Sequence, residues 1–187
     1  EDAIELVDFK GEIEFKNVSF SYSEKSRSVI SDISFKVNKG ETLAIIGATG
    51  SGKSTIINLI PRFYDVTSGE ILVDGVNVKD YQEHELRSKI AIASQNAALF
   101  KGTIKDNITY GAEEIIDEKI EKAIDLSQST FIKELENGID SQVAQGGTNF
   151  SGGQKQRISI ARTLYKDAEI MIFDDTFSAL DYKTDML

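Results

Sequence analysis

The sequence predicts an α/β protein with an antiparallel β region near its start and a helical insertion in its second half. Three observations carry this. Short apolar runs at residues 42–46, 90–93 and 170–173 each end abruptly in a polar turn, as buried strands do. Residues 12–20 and 33–37 alternate polar and apolar, the pattern of half-buried strands. Residues 103–137, by contrast, read as a series of helices.

The 187 residues suffice for one domain with a real core and are short for two. The chain begins at Glu1 rather than Met and stops at Leu187 in a polar stretch of helical character, which reads as a piece of something longer. No apolar run approaches the roughly eighteen residues of a membrane span, and no signal peptide is visible. The absence of cysteine excludes a disulfide framework and a thiolate metal site. A formal net charge of −10 argues against nonspecific binding to nucleic acid or anionic membrane, which depends on clustered Lys and Arg.

Taken in order, the strand at 12–20 runs into Ser21, Tyr22 and Ser23 and a charged turn through Lys25 and Arg27, before the second strand at 33–37. Taken alone, Tyr22 reads as an ordinary strand-end aromatic or as a base-stacking residue. A turn at Asn38, Lys39 and Gly40 leads into the apolar strand 42–46, which breaks into Gly47, Ala48, Thr49, Gly50, Ser51, Gly52, Lys53, Ser54 and Thr55. Gly47, Gly52, Lys53 and Ser54 satisfy G-x-x-x-x-G-K-[ST], with an extra Gly50 between them, in the strand–loop–helix context that the motif needs. Glycines let backbone N–H groups turn inward around phosphate oxygens, the following helix adds the positive end of its dipole, and Lys53 places a point charge on the outer phosphates. Ser54 would then hold Mg2+. A glycine-rich turn preceding a helix by chance is the competing reading, and strand, spacing and Lys53–Ser54 together weigh against it.

A helix at 54–60 stops near Pro61, and Ser68 and Gly69 lead into a strand at 70–73 with a hairpin turn at Asp74 and Gly75. Residues 83–89 form a short polar helix whose His84, the sole histidine, reads as a solvated surface residue. The buried-type strand 90–93 ends at Gln95, where a side-chain amide can coordinate a metal or a water, since ligands collect at the carboxyl ends of parallel strands.

The helical insertion comprises helices at 103–110, 117–126 and 130–135. A polar loop through Gln145 to Asn149 then reaches Phe150, Ser151, Gly152, Gly153 and Gln154. Ile158, Ala161, Leu164 and Tyr165 recur at helical spacing behind them, so Ser151 is an N-cap and Ser151 with Gln154 a capping box. Two glycines in the first turn cost about 1 kcal/mol each relative to Ala, which suggests that bare N–H groups are wanted for an anion. Finally, the strand 170–173 ends in Asp174 and Asp175. The first carboxylate has the metal-side role usual in a phosphate-loop protein, although such a pair can also simply cap a helix.

Together these residues resemble the nucleotide-binding domain of an ATP-binding cassette (ABC) transporter of the exporter type, over nearly the whole chain from Gly11. The signature is Phe150 to Gln154, with Phe where Leu is commonest, joined by the phosphate loop, the Q-loop at Gln95, the Asp174 strand and the D-loop from Ser178 to Asp181. The resemblance implies a P-loop NTPase core, a parallel sheet flanked by helices, with an antiparallel β subdomain and an inserted helical subdomain at about residues 96–165. Residues 1–10 would be a linker remnant and 11–187 the domain, lacking its last strands and switch histidine.

The resemblance further implies ATP and Mg2+ as ligands, with Ser54, Gln95 and Asp174 on the metal and Tyr22 stacked on adenine. Lys53, Gln95 and Asp175 would serve catalysis. Two cassettes would pack head to tail, so that Ser151, Gly152, Gly153, Gln154 and Asp181 of one chain meet the ATP of the other. Residues 98–111 would face the coupling helices of a membrane domain, at the cytoplasmic face of the cell membrane and with no nucleic-acid partner. Three departures qualify it. Asp175 stands where the family usually has Glu, no histidine follows Asp181, and Ala144–Gln145 replaces a usual Gly–Glu pair. The missing histidine reads as lost with the last strands beyond Leu187, whereas Asp175 and Gln145 with an intact signature point to the degenerate half of a heterodimeric exporter. A homodimeric exporter and an ATP clamp with negligible hydrolysis are the alternatives, and the cargo is not legible.

Overall fold

The computed structural model describes residues 9–176, and its contacts divide the chain into two units, Glu1–Ile90 and Ala91–Leu187. In the first unit a four-stranded sheet is ordered β2-β1-β3-β4, from β1 (Ile13–Phe20), β2 (Ile30–Val37), β3 (Ser68–Val73) and β4 (Val76–Asn77), with every pairing antiparallel. Ile13, Phe15, Val18 and Phe20 of β1 are buried, a pattern whose alternation skips a beat between Phe15 and Val18. The register shifts there, and Asn17 takes a left-handed φ of 48°. Asn17 is held by its N–H donating to Ser34 Oγ and its Nδ2 donating to Asp32 Oδ1, each at 2.8 Å. The bulge returns the second half of β1 to the core face.

The expected hairpin at Asp74 and Gly75 forms with positive φ at both residues, the turn chemistry that Asp–Gly supplies. Helix α1 (Lys53–Leu59) buries Thr55, Ile56 and Leu59 and ends before Pro61. In helix α2 (Glu83–Ser88), Arg87 donates to the carbonyls of Pro61 and Arg62 at 3.0 and 2.9 Å, and His84 is exposed as expected.

One expectation fails. The apolar run 42–46 pairs with no strand among the described residues, and Ile46 is 94% exposed. Apolar content predicts what a strand would bury, but a strand exists only where neighbours take its N–H and C=O groups. No described strand does so here, and the parallel core sheet expected around this run is not seen among the described residues.

In the second unit β5 (Ile90–Ala93) pairs with β8 (Ile170–Phe173), and the short β6 (Gly102–Thr103) pairs antiparallel with β7 (Gln142–Val143). Helices α3 (Ile104–Ile108), α4 (Asp117–Leu126) and α5 (Gly152–Lys166) enclose a core. Ile104, Ile108, Ile120, Ile124, Ile132 and Ile158 are buried in it, at about 1.5–3 kcal/mol for each such side chain. The segment 130–135, expected as an α-helix, is a 3-10 turn over Thr130–Glu134 that still buries Ile132. Thr103 caps α3 with Asp106 in a capping box, and hydrogen bonds from the Thr103 backbone and hydroxyl hold the Asp106 carboxyl below the usual carboxylate range.

A half-buried cation braces this core. Arg162 donates to the backbone oxygen of Asn107 at 2.7 Å, to Asn107 Oδ1 at 2.9 Å and to the Ala98 oxygen at 3.0 Å. Its guanidinium lies over Phe100, which stacks on Tyr110 at 4.6 Å. Burial pulls its pKa down, and these acceptors compensate the loss of water.

Candidate functional site

The candidate site residues fall into both units, and each group is built within its own. In the first unit the loop from Gly47 to Ser51 is exposed, and it turns on Ser51 N–H donating to the Ala48 carbonyl at 3.1 Å. Gly52, at φ 95°, delivers the chain into α1, where no side chain caps the start. Lys53 Nζ donates to the carbonyls of Gly47 and Ala48 at 2.7 and 2.9 Å. The ammonium thus clasps the loop's own rim and keeps a third donor. Ser54 is exposed beside it, whereas Thr55 is buried and its Oγ1 shares a 3.0 Å hydrogen bond with the Tyr22 hydroxyl. Tyr22 is therefore brought to the phosphate-loop helix, in perpendicular contact with Phe20 and Tyr64.

In the second unit, β5 and β8 end side by side, with Asp174 N–H donating to the Ala93 carbonyl at 2.9 Å. That juxtaposition brings Gln95 and Asp175 together: Gln95 Nε2 donates to Asp175 Oδ2 at 3.0 Å. Asp175 stands at a left-handed φ of 48°, a region Asp enters more readily than most residues. Hard oxygen donors, the Asp174 carboxylate and the Gln95 amide oxygen, suit Mg2+, which takes one or two carboxylates and completes its shell with phosphate oxygens and water. Among the described residues no group of three or more His, Cys, Asp or Glu is placed to hold a metal ion.

The start of α5 is fully built. Ser151 Oγ accepts from the Gln154 N–H at 3.2 Å, and Ser151 N–H donates to Gln154 Oε1 at 3.0 Å, the expected capping box. Gly152 lies at the first helical position, where an added Cβ would meet nothing within 4 Å. Asp181 and the rest of the D-loop lie outside the described residues.

Residues 30–178 match the family model described as ABC transporter. The chain belongs to that family. Its P-loop NTPase fold follows from this match and from a solved structure, "Structure of a bacterial Atm1-family ABC exporter with ATP bound". That structure superposes at a TM-score of 0.92, with 39% identity over 99% of this chain and 33% of its own. The chain is 47% identical over 178 residues to an ATP-dependent lipid A-core flippase of Vibrio vulnificus (strain CMCP6), covering 94% of this chain and 30% of that protein. It is 45% identical over 184 residues to ABC transporter B family member 21 of Arabidopsis thaliana, covering 97% of this chain and 14% of that protein. The chain thus spans about a third or less of the length of these relatives. ABC ATPase domains bind and hydrolyse ATP, generally with Mg2+, and those of exporters dimerise and couple to membrane-spanning domains. No described helix of this ABC chain is long and apolar enough to cross a membrane.

Within the ABC domain, sequence reasoning missed Gln156. It is 1% exposed, and its Nε2 donates to the Ser94 carbonyl at 3.1 Å, so it ties α5 to the residue before Gln95. Its neighbours Gln154, Lys155 and Arg157 are polar as well, so no local pattern set it apart. Arg162 was missed likewise, because its carbonyl acceptors belong to a backbone that only the fold assembles.

Proposed function

We propose that this chain is the ATP-binding domain of a membrane exporter and the degenerate half of a heterodimer. The observation that carries the proposal is the pairing of an intact, preformed signature start at Ser151 with a shortened carboxylate at Asp175 that Gln95 already holds. Backbone N–H groups from Gly47 to Gly52 cradle the phosphates, with Ala48, Thr49, Gly50 and Ser51 forming the loop, and Lys53 turns its ammonium from the loop carbonyls to the outer phosphates. Ser54 in the first unit, and Gln95 and Asp174 in the second, are the residues that would hold Mg2+, which would supply positive charge to offset that of the phosphates. Tyr22 stacks on the base.

In this reading Asp175 orients the attacking water, one methylene short of the reach a Glu would have. A displacement of about 1 Å can cost on the order of a hundredfold in rate. Ser151, Gly152, Gly153 and Gln154, with Asp181, complete the site on a second cassette. ATP binding closes the head-to-tail pair, hydrolysis reopens it, and the coupling helices of a membrane domain carry that two-state change at the cytoplasmic face of the membrane.

The test compares MgATP binding and steady-state hydrolysis of the wild type with Asp175→Glu, in the chain together with the sequence that naturally flanks it. Slow turnover despite ATP binding, with at least a tenfold gain in Asp175→Glu, about 1.4 kcal/mol in the barrier, supports the degenerate half. Rapid turnover in the wild type with no gain overturns it in favour of a homodimeric exporter. One observation favours that second reading: the left-handed backbone at residue 175 suits Asp better than Glu, so Asp175 is the residue its own turn prefers.

A further inference from the structure

The three aromatic rings beside the phosphate loop form a construction that phosphate binding alone does not require. Tyr22 is 53% exposed and Tyr64 is 45% exposed, yet both are fixed. The Tyr22 ring meets the buried Phe20 edge-on at 4.8 Å and Tyr64 at 5.2 Å with the planes at 90°, while Phe20 and Tyr64 lie 5.6 Å apart. At the far end of the ring, the Tyr22 hydroxyl and Thr55 Oγ1 share their 3.0 Å hydrogen bond. Thr55 is 5% exposed and lies one residue beyond Ser54. Its hydroxyl is thus engaged with the Tyr22 hydroxyl.

We propose that Thr55 and Tyr64 are positioning residues for the nucleobase: together they lock the Tyr22 ring at a fixed place relative to the phosphate loop, so that the chain selects a nucleoside triphosphate by the span from base to phosphates. The proposal rests on the reading of Tyr22 as the base-stacking residue and adds the parts that orient it. A half-exposed tyrosine on a loop has two freely rotating side-chain torsions, and a ligand that must freeze them loses affinity. Perpendicular ring contacts fix the plane of Tyr22 at modest energy each. The hydroxyl tie fixes the remaining degree of freedom and anchors it to α1, the element that presents Lys53 and Ser54. Tripolyphosphate, which has no base, does not use the lock.

The experiment is calorimetric titration of the chain with MgATP and, separately, with magnesium tripolyphosphate, taking the ratio of the two affinities. Tyr22→Ala tests the underlying reading, and its loss of ATP preference is expected to be the largest. Tyr22→Phe, Thr55→Val and Tyr64→Leu are each expected to weaken MgATP three- to tenfold while leaving tripolyphosphate within twofold. Thr55→Ser restores the hydroxyl and is expected to restore the ratio. Tyr22→Phe combined with Thr55→Val is expected to be no worse than either alone, because both remove one bond. Equal weakening of both ligands by Thr55→Val, unrescued by Thr55→Ser, would place Thr55 on the phosphates and overturn the lock, as would full additivity in the double variant. An unchanged ratio in Tyr22→Ala overturns the stacking reading itself, and the lock with it.

Discussion

Two glycine-bearing α-helix starts among the described residues are built in opposite ways. Before α1, Gly52 holds a left-handed φ of 95°, no side chain caps the helix, and Lys53 satisfies loop carbonyls in place of an external partner. At α5, Ser151 and Gln154 close a reciprocal capping box, and the backbone of Gly152 needs no glycine for its own conformation. The first start is held by backbone geometry and a movable cation. The second is complete within its own chain. A loop of the first kind changes when a polyanion arrives, because Lys53 has better acceptors to find, whereas the second presents the same surface before and after.

The sharpest way to break this contrast is to put the same methyl group at both glycines. In Gly52→Ala the new Cβ would sit 2.8 Å from Ile30 Cγ2 and 3.2 Å from the Val29 oxygen, on a backbone that disfavours any L side chain. Strain at positive φ costs about 1–2 kcal/mol, and overpacking against a neighbour about 1–3 kcal/mol more. A loss of about 2–5 kcal/mol in urea unfolding is the expected outcome, accompanied by loss of MgATP binding. A variant as stable as the wild type would show that the loop relaxes freely and that Gly52 does not fix it.

Removing the cap at the other start is a smaller insult. Ser151→Ala takes away the acceptor for the Gln154 N–H, and such caps are worth about 1 kcal/mol. The expected result is a loss of that size in the second unit, with MgATP binding to the chain's own phosphate loop unchanged and cassette pairing weakened. Equal loss of MgATP affinity would mean that the two starts are not independent.

Much of this contrast was legible in the sequence, for reasons that differ between the starts. The capping box follows from local chemistry, Ser three residues before Gln, and nothing distant can undo it. The hairpin at Asp74 and the strand ends at Gln95 and Asp175 were legible for the same reason. The run from Thr42 to Ile46 was not, because strand formation depends on neighbours that apolar content cannot supply. The bulge at Asn17 was equally silent. So was the Gln95 to Asp175 hydrogen bond, which joins residues eighty positions apart only after β5 and β8 pair. Tyr22 stood between these cases, since its residue type was suggestive but its bond to Thr55 belongs to the fold.

The smallest expected effect is also the most diagnostic. At Gly152 the backbone is ordinary helix and an added Cβ meets open space, so Gly152→Ala removes chain entropy from the unfolded state and gains helix propensity. The expected change is a gain of about 0.5 kcal/mol, read as a rise in melting temperature, opposite in sign to Gly52→Ala. A position that folding would rather fill with Ala keeps Gly for something outside the chain. If that something is the triphosphate held by a second cassette, the stabilised variant loses ATP-driven pairing while its own phosphate loop binds MgATP as before. Should pairing survive the methyl group intact, the backbone at Gly152 is not approached closely, and the signature start is merely a well-capped helix.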